Sequence, residues 1–176
     1  DGLIDYDCGT SYKDFNQSKF DLFCDEDKSK DLQGSHWAPH IIHRDIWVKV
    51  GGFSEEFNPG VASDPDFNMK LWSKGIRIFK GINNFKVYHF VSVVTERMNL
   101  PSKNKMNIRS KAHKIFLLKW GISIKFFKKF YLKSNSKYVG PLVAPKKNII
   151  FLFNLLLCKI HYIYIKLLYN NLYSKN

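Results

Sequence analysis

Apolar and polar positions alternate in three different ways along this chain. Residues 1–31 are polar, acidic and weakly periodic, with Tyr6, Tyr12, Phe15, Phe20 and Phe23 scattered as anchors, which predicts a loop pinned to a surface. From Gly34 to Phe90 the pattern changes every few residues. Trp37 to Ile42 is predicted extended, because Pro39 blocks a helix through it. Asp45 is predicted to cap a short helix through Val50 that Gly51-Gly52 ends, and Asn58-Pro59-Gly60 reads as a turn. Phe67, Leu71 and Trp72 then follow at helical spacing up to Gly75, and Ile76–Phe79 and Phe85–Phe90 alternate as strands. Beyond a polar, basic loop at 92–107, residues 108–133 read as helix interrupted at Gly121. A Gly/Pro-containing linker covers 134–147, and 148–173 is a long apolar run.

The start of the Phe67–Trp72 helix carries the first candidate chemistry. Asp64 suits the N-cap, where its oxygen accepts from free backbone N–H groups. Pro65 then takes the first helical position, where a missing N–H costs nothing, and Asp66 sits in the first turn at the positive end of the helix dipole. Such a placement holds a carboxylate ionised and rigid, as a general base requires. The same pattern also describes a plain helix cap.

Histidines offer less. His36 and His40 would share a helical face, but Pro39 removes the helix, and in a strand His43 points away from both. Acceptor or phosphate binding, or plain surface exposure, therefore ranks above zinc for them. His89 ends an apolar strand, where a buried, satisfied histidine is the plain reading.

Three ordered blocks raise the odds for chemistry: Ile46-Trp47-Val48-Lys49-Val50-Gly51-Gly52-Phe53-Ser54-Glu55-Glu56-Phe57, then Ser63–Leu71, then Val87-Tyr88-His89-Phe90. Together they resemble the second half of family 2 glycosyltransferases, which read "W..VGGFDE.F", an acidic "ED.D...R" helix start, and a strand with a late His. The likeness covers about Gly34 to His89 and departs at Ser63, where the family has Glu, and Lys70, where it has Arg.

The resemblance implies an α/β fold: a partial GT-A, nucleotide-sugar-binding domain without its N-terminal nucleotide-binding half, followed by basic and apolar helices. It implies an inverting glycosyltransferase, inactive as this stretch alone, with Asp64 as catalytic base. His89 would contact a divalent metal (Mn²⁺ or Mg²⁺) or the diphosphate, Arg97 a phosphate, and Asp66 and Trp37 the acceptor. The implied partners are a nucleotide-sugar donor and a glycan or lipid-linked acceptor. Asp25-Glu26-Asp27 superficially resembles the family's upstream metal motif, but no apolar strand leads into it and a solvated loop fits better.

Charge divides the chain. Residues 1–96 carry 11 Lys and Arg against 15 Asp and Glu; residues 97–176 carry 17 Lys and Arg and no acid. The split suggests two regions, 1–100 and 101–176, with an anionic partner for the second. Basic and aromatic residues interleave over 108–133, which fits an anionic membrane surface and, as a lower-ranked partner, nucleic acid. On the 148–173 helix, Asn148, Lys159, Lys166 and Asn170 fall on one stripe, predicting a helix lying in the interface with its lysines outward. A cytoplasmic protein, peripheral at the inner membrane face, is the expected setting. Cys8, Cys24 and Cys158 show no paired spacing, consistent with a reducing compartment. The rival functional class is a non-enzymatic basic module that binds anionic membrane or nucleic acid.

Overall fold

The computed structural model describes residues 4–34, 38–90, 102–134 and 136–173. It is a mainly helical chain with a small antiparallel sheet. In order come α1 (Gln17–Glu26), β1 (Leu32–Gln33), α2 (Arg44–Val50), a 3₁₀ turn (Glu55–Phe57), α3 (Ser63–Ser73), β2 (Lys80–Gly81), α4 (Ser102–Trp120), α5 (Ile124–Phe126) running into a π-helical stretch (Phe127–Leu132), and α6 (Ile149–Tyr173).

Local chemistry explains most boundaries. In α2 the cap is His43 rather than Asp45: the His43 Nδ1 accepts from the Asp45 N–H at 3.2 Å, and Asp45 falls in the first turn. Gly51 ends α2 in the left-handed conformation. Gly52 follows with φ +57°, and a Cβ there would lie 2.7 Å from the Trp47 ring. The Trp…Gly-Gly-Phe block is thus a helix end with an indole folded over it. In α3 the cap is Ala62, so Asp64 and Pro65 lie one and two residues inside the helix instead of at its mouth. Pro65 still forfeits nothing, because the first intrahelical bond comes from the Asp66 N–H to the Ala62 carbonyl.

Two strand expectations shrink. Residues 76–79 and 85–90 form no strand, and the sheet instead pairs Leu32 with Gly81 and Gln33 with Lys80. Alternation at 85–90 serves a different purpose. Tyr88 and Phe90 pack on Phe15, and the Tyr88 hydroxyl donates to the Gly9 carbonyl at 2.8 Å. The acidic N-terminal region is therefore not all loop. Asn16 caps α1 by accepting from the Lys19 N–H at 2.9 Å, a signal present in the sequence but masked by the weak apolar period. Likewise the 134–147 segment is tied down: Gln33 N–H donates to the Ser136 carbonyl, and Leu142 N–H to that of Arg77.

One hydrophobic core runs through the chain. It joins Val50, Phe57, Phe67, Leu71, Trp72 and Phe79 to Phe116, Leu117, Phe126, Phe127 and Leu132, and on to Phe151, Cys158 and Ile165 of α6. It crosses residue 100, so the acidic and basic regions share their interior. Lys119 and Trp120, at the end of α4, reinforce the junction through Asp66. That carboxylate is fully buried; it accepts from the Trp120 indole N–H at 2.7 Å and the Ser54 hydroxyl at 2.7 Å, and pairs with the Lys119 ammonium at 2.9 Å. Lys119 also reaches Glu56 at 2.7 Å. Burial works against the Lys119 charge, but the Glu56 and Asp66 carboxylates outweigh it and hold the ammonium above its ordinary value.

Removing one partner of a buried ion pair strands the other, at a cost of about 3–5 kcal/mol. Lys119→Met should therefore destabilise the fold by about 3 kcal/mol in urea unfolding, whereas Lys119→Arg should keep most of the stability. A loss below about 1 kcal/mol for the Met variant would mean that Trp120 and Ser54 suffice to hold the carboxylate.

Candidate active site

The candidate site is built where α2, the turn after it and α3 meet. Trp47, Phe53 and Phe67 form a cluster with ring centroids 5.0 to 5.3 Å apart. His40 stands edge-on to it, 5.4 Å from Phe67 and 6.2 Å from Phe53. Two polar ties fix the turn to the helix: Ser54 to Asp66, and the Lys70 ammonium to the Gly52 carbonyl at 3.0 Å. Lys70 thus performs a positioning task at the point where an Arg was expected.

Asp64 and Asp66 leave the same helix turn in different directions. The Asp64 side chain is one-fifth exposed, and its Oδ1 lies 3.9 Å from the His40 Nδ1. Burial raises the Asp64 carboxyl above its ordinary value of 3.8, with the His40 charge pulling the other way. Burial likewise lowers His40 from 6.5, with Asp64 opposing. The pair is consequently a neutral imidazole facing a carboxylate near neutral pH, a set of charges suited to taking up a proton.

Two buried polar atoms flank Asp64 and have no hydrogen-bond partner among the described residues: His40 Nε2 and Asn68 Nδ2. Asn68 follows Asp64 by four residues and so shares its helix face. Buried polar atoms left unpaired cost about 1–3 kcal/mol each, so both positions mark places where the fold forgoes stability. Next to this region, an open hollow of about 560 Å³ is lined by Phe53, Ser54, Glu55, Phe57, Asn58, Gly60 and Ser63.

The other expected residues fare differently. Asp66 is sealed inside the core and bound by α4, so its carboxylate holds the fold together and presents no surface to an acceptor. His89 is exposed, and no hydrogen bond or ion pair joins it to Asp64 among the described residues. Trp37 and Arg97 lie outside the described residues, as does His36. His40 is the residue whose role the sequence underrated: Pro39 excluded a helix, but nothing local reveals that residue 40 is carried against residue 64. Among the described residues no group of three or more His, Cys, Asp or Glu could hold a metal ion, so His89 lacks companions for a metal site there. A second hollow, about 410 Å³, is lined by Cys24, Asp25, Asp27, Asn84 and Lys86. In it Asp27 pairs with Lys86 at 2.8 Å, which draws the Asp27 carboxyl down to about 2.

No family model, no curated protein and no solved structure matches the chain.

The raised Asp64 carboxyl has a stability consequence of definite sign. A group held above its unfolded value binds its proton more tightly when folded, so stability is lost as pH rises from 3.8 through the folded value. Asn carries no such penalty. Asp64→Asn should therefore melt higher than the parent at pH 7, and the gain should shrink towards zero as pH falls to about 3.8. A variant that melts lower at pH 7 would show that the ionised carboxylate is a net support.

Proposed function

We propose that this chain is the acceptor-side part of an inverting, GT-A-type glycosyltransferase that uses a nucleotide-diphosphate sugar. The observation that carries the reading is the Asp64–His40 pair, set on a rigid helix turn beside two unpartnered buried polar groups. Supporting it, the first two motif blocks are packed into one unit by the Trp47–Phe53–Phe67 cluster and by the Ser54–Asp66 and Lys70–Gly52 ties.

In this reading an acceptor hydroxyl attacks the anomeric carbon of the donor. A new glycosidic C–O bond forms as the C–O bond to the nucleoside diphosphate breaks, and the hydroxyl proton passes to Asp64. His40, neutral at working pH, lies against Asp64 without competing for that proton. Asp66 acts at one remove, by fixing the helix that carries Asp64. The nucleotide-sugar donor would be held mainly by polypeptide beyond this chain, with Arg97 offered to a phosphate and Trp37 to the acceptor. A divalent metal, Mn²⁺ or Mg²⁺, would offset charge on the leaving diphosphate when bound; His89 is the ligand this chain would offer, and the rest of the set would come from elsewhere.

A glycan or lipid-linked acceptor and a place at the cytoplasmic face of the inner membrane complete the proposal. The rival, a non-enzymatic basic module, draws on one observation of its own. A C-terminal helix is long and apolar enough to cross a membrane, and it follows a region with no acidic residue. Nucleic acid ranks below the membrane as its partner, because exposed aliphatic side chains contribute nothing to phosphate contacts.

In an enzyme that carries this chain together with its donor site, Asp64→Asn should lower transfer by about 10²–10⁴-fold while donor affinity stays essentially unchanged. The acid limb of the rate profile should lie above 3.8, the ordinary carboxylate value, because burial raises Asp64. Turnover that survives the substitution would remove Asp64 from the mechanism.

A further inference from the structure

Helix α6 has two apolar faces, and the fold uses only one. Phe151, Cys158 and Ile165 are buried, with Leu155 and Tyr162 beside them, at the heptad spacing of a single stripe docked on α4 and α5. At 100° per residue, the opposite arc holds Leu152, Phe153, Leu156, Ile160, Ile163 and Leu167, each 50 to 60% exposed. That arc includes no charged side chain. Lys159 and Lys166 are both exposed, as their stripe predicts. They lie on the flank between the docked stripe and the bare arc, and the Lys159 ammonium approaches Gly121, 3.1 Å from where a Cβ would stand. Lys166 rests over the Tyr162 ring at 5.9 Å.

We propose that the bare arc of α6 is the face by which this protein lies in an anionic lipid bilayer, with the helix in the plane of the interface. Spanning is excluded in this arrangement, because one stripe of the helix is already committed to the polar-surfaced body along its length. The arc is about 30 Å long over the 20-residue span Ile149–Leu168, enough for an in-plane anchor of high affinity. The flanking lysines sit where headgroups would be, with their stems along apolar surface. Charge selects the occupant. Residues 97–176 hold 17 positive and no negative side chains, so a second copy would bring like charge to the seam, while anionic headgroups complement it.

The inference deepens the membrane part of the proposed function and does not need sugar transfer, since its test reads binding alone. The chain would be sedimented with vesicles of phosphatidylcholine, with and without phosphatidylglycerol, at roughly 0.15 M and roughly 0.5 M salt. The expected result is pelleting with the anionic vesicles that persists at the higher salt. The double variant Phe153→Glu, Ile160→Glu should lose at least about tenfold in partition, with its circular dichroism and melting unchanged, because both side chains face away from the core. Three outcomes would overturn the proposal: a parent chain that stays in the supernatant, a double variant that pellets as the parent does, or a parent dimer in sedimentation analysis that the double variant dissolves.

Discussion

A single carboxylate buried without solvent organises this protein. Asp66 has zero exposure, and an isolated charge in such a place would be untenable by many kcal/mol. It is tenable because three neighbours from two distant parts of the chain converge on it: Ser54 from the turn after α2, and Lys119 and Trp120 from the end of α4. Each of these contacts is specific in direction, so together they define how α3, the preceding turn and α4 sit relative to one another. The hydrophobic core around Phe67, Phe116 and Phe127 supplies the bulk of the driving force. The carboxylate supplies uniqueness, since only one register of α4 brings both the ammonium and the indole to it.

The contrast with Asp64 is instructive. Two residues of one helix turn differ by about 200° around the axis, so one carboxylate looks into the core and the other along the surface. Asp66 is saturated with donors, whereas Asp64 meets one imidazole at 3.9 Å and partial solvent. Identical side chains thereby acquire different surroundings: one is consumed by the fold, and the other is left with lone pairs that no donor in the fold occupies. The unpaired His40 and Asn68 nitrogens point the same way, because a fold optimised only for stability would have filled those positions with apolar groups.

How far the sequence foretold this can be followed residue by residue. The helix from Ser63 to Ser73 and its stop near Gly75, the short helix before Gly51-Gly52, the break at Gly121 and the apolar C-terminal helix were all legible, because each depends on local periodicity or on a glycine's backbone freedom. The caps lie two residues earlier than the sequence suggests, at Ala62 instead of Asp64 and at His43 instead of Asp45. The strands at 76–79 and 85–90 were not formed, because alternation there serves aromatic packing on Phe15 instead of a ladder. Asp64 was legible as a candidate from its place in a motif. The pairing with His40 was not, and neither was the capture of Asp66 by α4, because both join segments 24 and 54 residues apart and leave no periodic trace. The exposure of the α6 lysines was legible from the helical wheel, whereas the stripe Phe151, Cys158 and Ile165 that docks was not.

The reach of Lys119 and Trp120 back to Asp66 also bears on how such a chain can change over time. A basic, aromatic-rich C-terminal region resembles a removable appendage, yet it carries the counter-ion of a residue in the middle of the chain. Deletions entering from that side would strand an anion in an apolar interior before they reached the Asp64 helix. Lineages that trim the tail must therefore first retire Asp66 in favour of a neutral residue, so the two should be gained and lost together.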